Sequence, residues 1–264
     1  MNIFFRELKS NFKSLLIWGV IVILFTVVGF GKFTAYYENP DMLAILDSLP
    51  PAMLEALNFN AFNLTTLTGF FGVMFTYFAL MLCIAAAMWG SDIISKEERD
   101  KTVEFSLTLP VTRSKLITAK TAAALVNCIA LALIMWATVQ VAVRPYNPDQ
   151  EFNNFVTLGM VALFIMQLVF LAIGILLGAA MKQHKRAGSV AVSLLLGTYF
   201  ISIIAGLYKE LDFLKYFSPF KYFNPGDILH KSQIDMNYVW LSAGIIVVSL
   251  AGAYFTYSRR DLYI

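Results

Sequence analysis

Two long runs of this sequence carry no charged side chain, and a highly charged segment separates them. The runs span residues 67–91 and 121–143, and each reaches the ~20 residues that an α-helix needs to cross a bilayer core. The segment between them holds eleven of the thirty-seven charged side chains in the chain. A helix satisfies its own backbone hydrogen bonds, as a chain inside a bilayer must. The pattern therefore predicts two membrane spans joined by a charged loop outside the membrane.

The composition of the whole chain indicates the same class. Of its 264 residues, 59% are hydrophobic and only 14% are charged, whereas a soluble domain carries about 25% charged residues. The two cysteines, Cys83 and Cys128, lie inside apolar runs, so neither a disulfide framework nor a metal site is predicted. We therefore interpret the chain as an integral membrane protein.

Apolar runs recur along the sequence and predict an all-α integral membrane protein with a single transmembrane domain, residues 1–264. Residues 1–13 combine apolar and basic side chains, as is typical of a short interfacial helix leading into the bilayer. A loop at 93–118 joins the second and third spans. The six predicted spans lie at about residues 14–36, 66–92, 119–143, 155–181, 187–208 and 238–257.

Basic residues are divided unevenly between the two sides of the predicted membrane. Segments on the side of the 93–118 loop hold fourteen Lys and Arg residues, and segments on the other side hold six. Because Lys and Arg accumulate in cytoplasmic loops, both termini are predicted to be cytoplasmic. An even number of spans agrees with this orientation.

The loop contains an alternating apolar stretch that ends at a proline. Alternation over residues 102–109 fits a strand, but a lone strand at a membrane surface would leave its backbone edges without partners. We therefore predict a short helix with Val103 and Leu107 on one side and Phe105 near the opposite side. Pro110, which lacks an amide hydrogen, ends this helix. Such a helix can contact two apolar surfaces at once.

The chain lacks the residues that ion-coupled transport or intramembrane catalysis would need. The cores of the second to sixth spans contain no Asp, Glu, Lys, Arg or His, and such groups mark ion pathways in many transporters. There is no H-E-x-x-H motif, and both histidines lie outside the spans. The sequence therefore predicts no catalytic residue, no metal site and no cofactor on this chain.

Two uncharged polar side chains, Asn127 and Gln167, lie deep in the third and fourth spans. Amide groups at that depth commonly form hydrogen bonds between helices, and this is the favoured interpretation. The alternative is that they line a transport pathway.

Small residues recur at four-residue spacing in two spans. Gly174 and Gly178 lie in the fourth span, and Ser189, Ser193 and Gly197 lie in the fifth. Small residues at this spacing let helices approach closely, within one subunit or between two. The fifth span is the better candidate for a dimer interface.

The loop sequence EERDKTVEFSLTLPVTRSKLITAK, residues 97–120, resembles the cytoplasmic loop of ABC-2 type transporter permeases. The SPF motif at 218–220 and the RRDL motif at 259–262 also look like this family, and the six-span layout covers the whole chain. The loop positions that match the family pattern are Glu98, Thr102, Glu104, Leu107, Leu109, Pro110, Arg113 and Lys120.

The resemblance implies the membrane-spanning permease subunit of an ATP-driven ABC exporter in the bacterial cell membrane. Residues 99–109 would form a coupling helix that docks on a separate ABC ATP-binding subunit, which holds the ATP and Mg²⁺ and performs the hydrolysis. A second copy or a paralogue would complete the pathway. Membrane lipid is a further expected partner, and nucleic acid is not. In the run before the helix, Lys96 and Arg99 are expected to face solvent. The implied coupling residues are Glu98, Thr102, Val103, Glu104, Phe105, Leu107, Pro110 and Arg113.

The apolar interior favours an amphipathic or hydrophobic substrate, such as antimicrobial or cytolytic peptides of the modulin kind. Export of a drug or a lipid is one alternative. The other is an autonomous channel or carrier, which the lack of charges within the membrane disfavours.

Overall fold

The structure is a computed structural model, and it describes residues 3–37, 39, 50, 53–54, 62–99, 111–181 and 183–259. Within these ranges the regular elements are all helices, and no strand occurs. Two short 3-10 helices, Arg144–Tyr146 and Lys209–Phe217, lie between the α-helices. The α-helices are α1 (Ile3–Phe33), α2 (Leu67–Arg99), α3 (Arg113–Ala142), α4 (Gln150–Ala180), α5 (His184–Leu207), α6 (Pro219–Tyr222), α7 (Pro225–Lys231) and α8 (Met236–Arg259).

Six of these helices, α1 to α5 and α8, are long and apolar enough to cross a membrane, which confirms the prediction of six spans. The predicted boundaries differ from the observed ones mainly at α1 and α2. Residues 1–13 were predicted as a separate interfacial helix. The described part of this segment, residues 3–13, forms the first turns of the unbroken helix α1, so a separate element is not confirmed. The predicted coupling helix lies outside the described residues.

Both α1 and α2 are longer than a bilayer core requires. At 1.5 Å per residue, the 31 residues of α1 and the 33 residues of α2 extend about 46 and about 50 Å. A bilayer core is only ~30 Å thick. The extra length lies at the end of the bundle where α2 ends at Arg99 and α3 begins at Arg113, which we call the loop end.

Helix α2 is the centre of the bundle, and its closest neighbour is α4. Glycines make this close approach possible. A Cβ atom added to Gly90 would lie 2.4 Å from the carbonyl oxygen of Leu171, and one added to Gly174 would lie 2.6 Å from that of Ala87. Gly178 is equally restricted. The small-residue spacing in α4 therefore serves packing within the chain, which the sequence alone left undecided.

The segment between α5 and α8 folds back onto the bundle as a 3-10 helix followed by α6 and α7. The Ser218 hydroxyl donates a hydrogen bond to the carbonyl oxygen of Thr198 at 2.7 Å. Tyr222 is buried, and its hydroxyl contacts the carbonyl oxygen of Tyr216. Burial raises the pKa of Tyr222 to about 12, so its hydroxyl stays protonated and donates this bond. The Ser218 bond attaches the segment to α5 at the end of the bundle opposite the loop end, and the Tyr222 bond closes the segment on itself.

Candidate functional site

The charged residues at the loop end form a connected group, which we call the ion network: Arg6, Glu7, Lys96, Glu97 and Lys120. Its members come from α1, α2 and α3. The last turns of α2 continue beyond the apolar run, and charged side chains there contact the neighbouring helices.

Glu97 occupies the centre of the ion network. One of its carboxylate oxygens accepts a hydrogen bond from Arg6 of α1 at 2.7 Å. The other lies 3.1 Å from the ammonium nitrogen of Lys120 on α3. Lys120 is 0% exposed, and it also donates a 2.9 Å hydrogen bond to the carbonyl oxygen of Ile93 on α2. One carboxylate therefore joins three helices.

A second contact joins α1 to α2. The carboxylate of Glu7 lies 2.5 Å from the ammonium of Lys96 and 3.4 Å from the guanidinium of Arg6. Two helical turns beyond Glu7 on α1, Ser14 accepts a 2.8 Å hydrogen bond from the indole nitrogen of Trp89. Lys96 also donates a 3.3 Å hydrogen bond to Ser10. These contacts hold the first turns of α1 against the end of α2.

Lys96 and Arg99 differ in how far they meet the expectation of solvent exposure. The Lys96 side chain is only 12% exposed because it turns inward to Glu7, so the expectation was wrong for this residue. Arg99 is partly exposed, and it forms an ion pair with Asp92 two turns earlier on α2. The charged run is therefore only partly a solvated surface.

Two of the predicted coupling residues lie within the described part of the chain. Glu98 is 6% exposed, so its side chain is directed into the protein in this conformation. Arg113, at the start of α3, donates a 3.1 Å hydrogen bond to the carbonyl oxygen of Tyr257 in the last turn of α8. The other six lie outside the described residues, and their coupling role stays a prediction: Thr102, Val103, Glu104, Phe105, Leu107 and Pro110.

A groove of about 580 Å³ opens beside the ion network between α1, α2 and α5. Trp89 and Asp92 line its α2 wall, and Lys185 lies at the start of its α5 wall. Its walls are rich in hydroxyl groups, and we call it the serine groove after Ser14, Ser91, Ser95, Ser189 and Ser193. It combines polar, charged and aromatic groups at the loop end of the bundle.

The three predicted dimer-interface residues all lie on the exposed face of α5. Ser189 and Ser193 line the serine groove. Gly197, one turn beyond Ser193, has nothing within 4 Å of the position that a Cβ would occupy. The face that these residues share is open in the single chain, and its role as a dimer interface stays a prediction.

Asn127 and Gln167, the two predicted pathway candidates, lie in the interior of the bundle and are not part of the serine groove. The amide nitrogen of Asn127 and both amide heteroatoms of Gln167 have no hydrogen-bond partner among the described residues. Buried polar groups normally have such partners. Interhelical hydrogen bonding and a pathway role both stay predictions for these two residues.

A second groove, of about 590 Å³, lies between α1 and α2 towards the opposite end of the bundle. Its walls are apolar and include Phe25, Val28 and Met74. Lys32 is the charged group among its described lining residues. We call it the apolar groove, and its lining suits a hydrocarbon chain.

The ion network was not predicted from the sequence, although one signal for it was present. Lys120 lies inside the apolar stretch predicted as the third span, and a charge at such a position requires a buried partner. That partner, Glu97, lies across the loop on another helix. Periodicity within one segment does not identify a partner on another.

The fold and the charged loop end define a polytopic α-helical membrane protein. Among the described residues there is no group of three or more His, Cys, Asp or Glu side chains that could hold a metal ion. A family profile described as ABC-2 family transporter protein matches residues 1–262, so the chain belongs to the ABC-2 transporter family. The family is one of ABC permeases and implies an ATP-binding partner in general. A comparison with curated proteins gave no match.

Proposed function

We propose that this chain is the membrane-spanning permease subunit of an ATP-driven exporter in the bacterial cell membrane, with both termini in the cytoplasm. A separate ABC subunit binds ATP and Mg²⁺, hydrolyses the ATP and docks on residues 99–109. A second copy of the chain or a paralogue completes the transport pathway. The chain itself performs no chemical step.

The observation that carries this proposal is the serine groove. Three helices of one chain bound it, and Ser189 and Ser193, which lie on the exposed small-residue face of α5, belong to its wall. Small residues let helices of two subunits approach closely. A second subunit on this face would convert the open groove into half of an enclosed cavity at the cytoplasmic end of the pathway.

The lining of the serine groove supports an amphipathic substrate. Met88 and Trp89 provide apolar surface, and the serines provide hydrogen-bond donors and acceptors. Arg99 is neutralised by Asp92, so Lys185 leaves the described lining with a net positive charge. These features suit an amphipathic peptide with an apolar face and an acidic group, including cytolytic peptides of the modulin kind.

Export of a drug or a lipid is the second candidate, and the apolar groove is the observation in its favour. That groove lies between α1 and α2 and is lined almost wholly by hydrocarbon and aromatic side chains. A hydrophobic molecule could enter it from within the bilayer without crossing a polar surface. The two candidates therefore assign the substrate to different grooves.

Reconstitution tests the proposed function directly. The chain is purified with candidate ABC ATP-binding subunits, placed in proteoliposomes and assayed for ATP hydrolysis and for movement of a fluorescent amphipathic peptide. Stimulation of hydrolysis by the peptide, together with ATP-dependent movement, is expected. Stimulation by lipid or drug alone would favour the second candidate. Movement without any ATP-binding subunit would contradict the proposal and favour an autonomous channel.

A further inference from the structure

The ion network contains charged groups that are almost completely removed from water. The Glu7 and Lys120 side chains are 2% and 1% exposed. Buried ion pairs are often no more stabilising than apolar side chains of the same shape, because removing charges from water is costly. Stability alone therefore does not explain their presence. Contacts between long charged side chains can instead pass a displacement from one helix to the next.

The ion network lies close to both ends of the segment that joins α2 to α3. Glu97 is two residues before Arg99, the last residue of α2, and Lys120 is about two turns beyond the start of α3. A displacement of residues 100–112 must act first on these two helix ends. Since Glu97 contacts Lys120, the two ends are held together.

Helix α1 is joined to the end of α2 through side chains. Arg6 contacts Glu97, and Glu7 contacts Lys96. One and two turns further along, Asn11 and Ser14 of α1 form part of the wall of the serine groove. The side-chain contacts at the start of α1 thus lie between the loop segment and the groove.

We propose that Arg6 and Glu7 are positioning residues that lock the first turns of α1 to the end of α2, so that displacement of residues 100–112 also moves the α1 wall of the serine groove. The proposal rests on the proposed function, in which the ATP-binding partner acts on that segment. Glu97 is the shared contact that holds α1, α2 and α3 together during this movement.

A double variant tests the contacts that Arg6 and Glu7 of α1 make with the end of α2, which we call the lock. Arg6→Gln with Glu7→Gln removes one positive and one negative charge from α1 and leaves the Glu97–Lys120 pair in place. The matched control, Lys9→Gln with Lys13→Gln, removes two exposed charges from the same helix. Arg6→Lys keeps the positive charge and serves as the conservative variant.

The deciding measurement is the amount of substrate moved per ATP hydrolysed by the complex in proteoliposomes. In the Arg6→Gln/Glu7→Gln variant we expect hydrolysis within about twofold of wild type and transport per ATP lower by about tenfold, as for loss of an ordinary coupling between sites. The control and Arg6→Lys should stay near the wild-type ratio. An unchanged ratio in the double variant would overturn the proposal.

Hydrogen exchange separates failure of the lock from failure of the proposed function. If the wild-type chain moves no substrate with any ATP-binding subunit, the proposed function fails, and the lock is then tested in the chain alone in nanodiscs. The double variant should exchange faster at the amides of residues 3–14, with residues 21–33 and the Lys9/Lys13 control unchanged. Equal exchange at residues 3–14 in the variant and wild type would contradict the lock.

Discussion

The α2–α4 contact in the middle of the bundle and the ion network at the loop end hold helices together by different physical means. At the α2–α4 contact, Gly90 and Gly174 bring two backbones together, and a single added methyl group has no space. At the loop end, long charged side chains bridge α1, α2 and α3. A contact made by shape permits one arrangement of the helices, whereas ion pairs between long side chains can persist through a displacement. The difference suggests a rigid centre and a loop end suited to movement.

The largest effect is expected from breaking the central ion pair at the loop end. Lys120→Met keeps the length and the apolar stem of the side chain but leaves Glu97 without its partner on α3. Loss of one member of a buried pair costs about 3–5 kcal/mol. The temperature at which the purified protein loses its monodisperse state in detergent should therefore fall strongly.

Two variants show whether this loss comes from the pair. Lys120→Met combined with Glu97→Gln removes both charges of this pair and should recover part of the stability, because neutral replacements of a whole buried pair are often nearly neutral. The recovery is partial because the contact between Glu97 and Arg6 is weakened. Lys115→Met changes an exposed lysine on the same helix and should have little effect. Wild-type stability of Lys120→Met alone would contradict the assignment of Glu97 as its necessary partner.

A smaller loss is expected from the glycine contact at the centre. In Gly174→Ala the new methyl group would lie 2.6 Å from the carbonyl oxygen of Ala87, so α2 and α4 must separate. Overpacking of this kind costs about 1–3 kcal/mol, measured by the same thermal assay. Gly197→Ala is the matched control, since that position is open and alanine is the better helix former. Equal stability of the two variants would show that the α2–α4 contact is less rigid than its geometry implies.

Helix boundaries and internal contacts differ in how far the sequence predicts them. The number of helices long and apolar enough to cross a membrane was predicted correctly because apolar length is a property of each segment alone. The spacing of Gly174 and Gly178 indicated a close helix contact, but it did not identify α2 as the partner. Likewise Arg6 and Glu97 are separated by 91 positions, and no local pattern connects them. The site residues at 102–110 were predicted by resemblance and lie outside the described residues.

The exposed face of α5 is a third kind of surface. Among the described residues of one chain it makes neither a close backbone contact nor an ion pair with another helix. Gly197→Trp places a large side chain on this face, and Gly244→Trp places the same side chain on α8 at a position that is equally open. If α5 forms the dimer interface, Gly197→Trp should weaken self-association by about tenfold, or ~1.4 kcal/mol, while Gly244→Trp does not. The dimer fraction in nanodiscs or detergent, measured by light scattering over a dilution series, distinguishes them. Equal dimer fractions would remove α5 as the interface.

The smallest loss of stability is expected from substitution of Arg113, whose charge lies at the loop end and interacts with the C-terminus of α8. Its guanidinium donates to the carbonyl oxygen of Tyr257, one of the last carbonyls of α8, and a cation near a helix C-terminus is also favoured by the helix dipole. Arg113→Gln should cost about 1 kcal/mol, whereas Arg113→Lys should keep part of the interaction. Hydrogen exchange at residues 250–259 measures the change locally, with the rest of α8 as the internal reference. Faster exchange confined to these residues would mean that Arg113 secures the end of α8 to α3, and would add a fourth helix to those held by charge at the loop end. Unchanged exchange would limit this charged contact system to α1, α2 and α3.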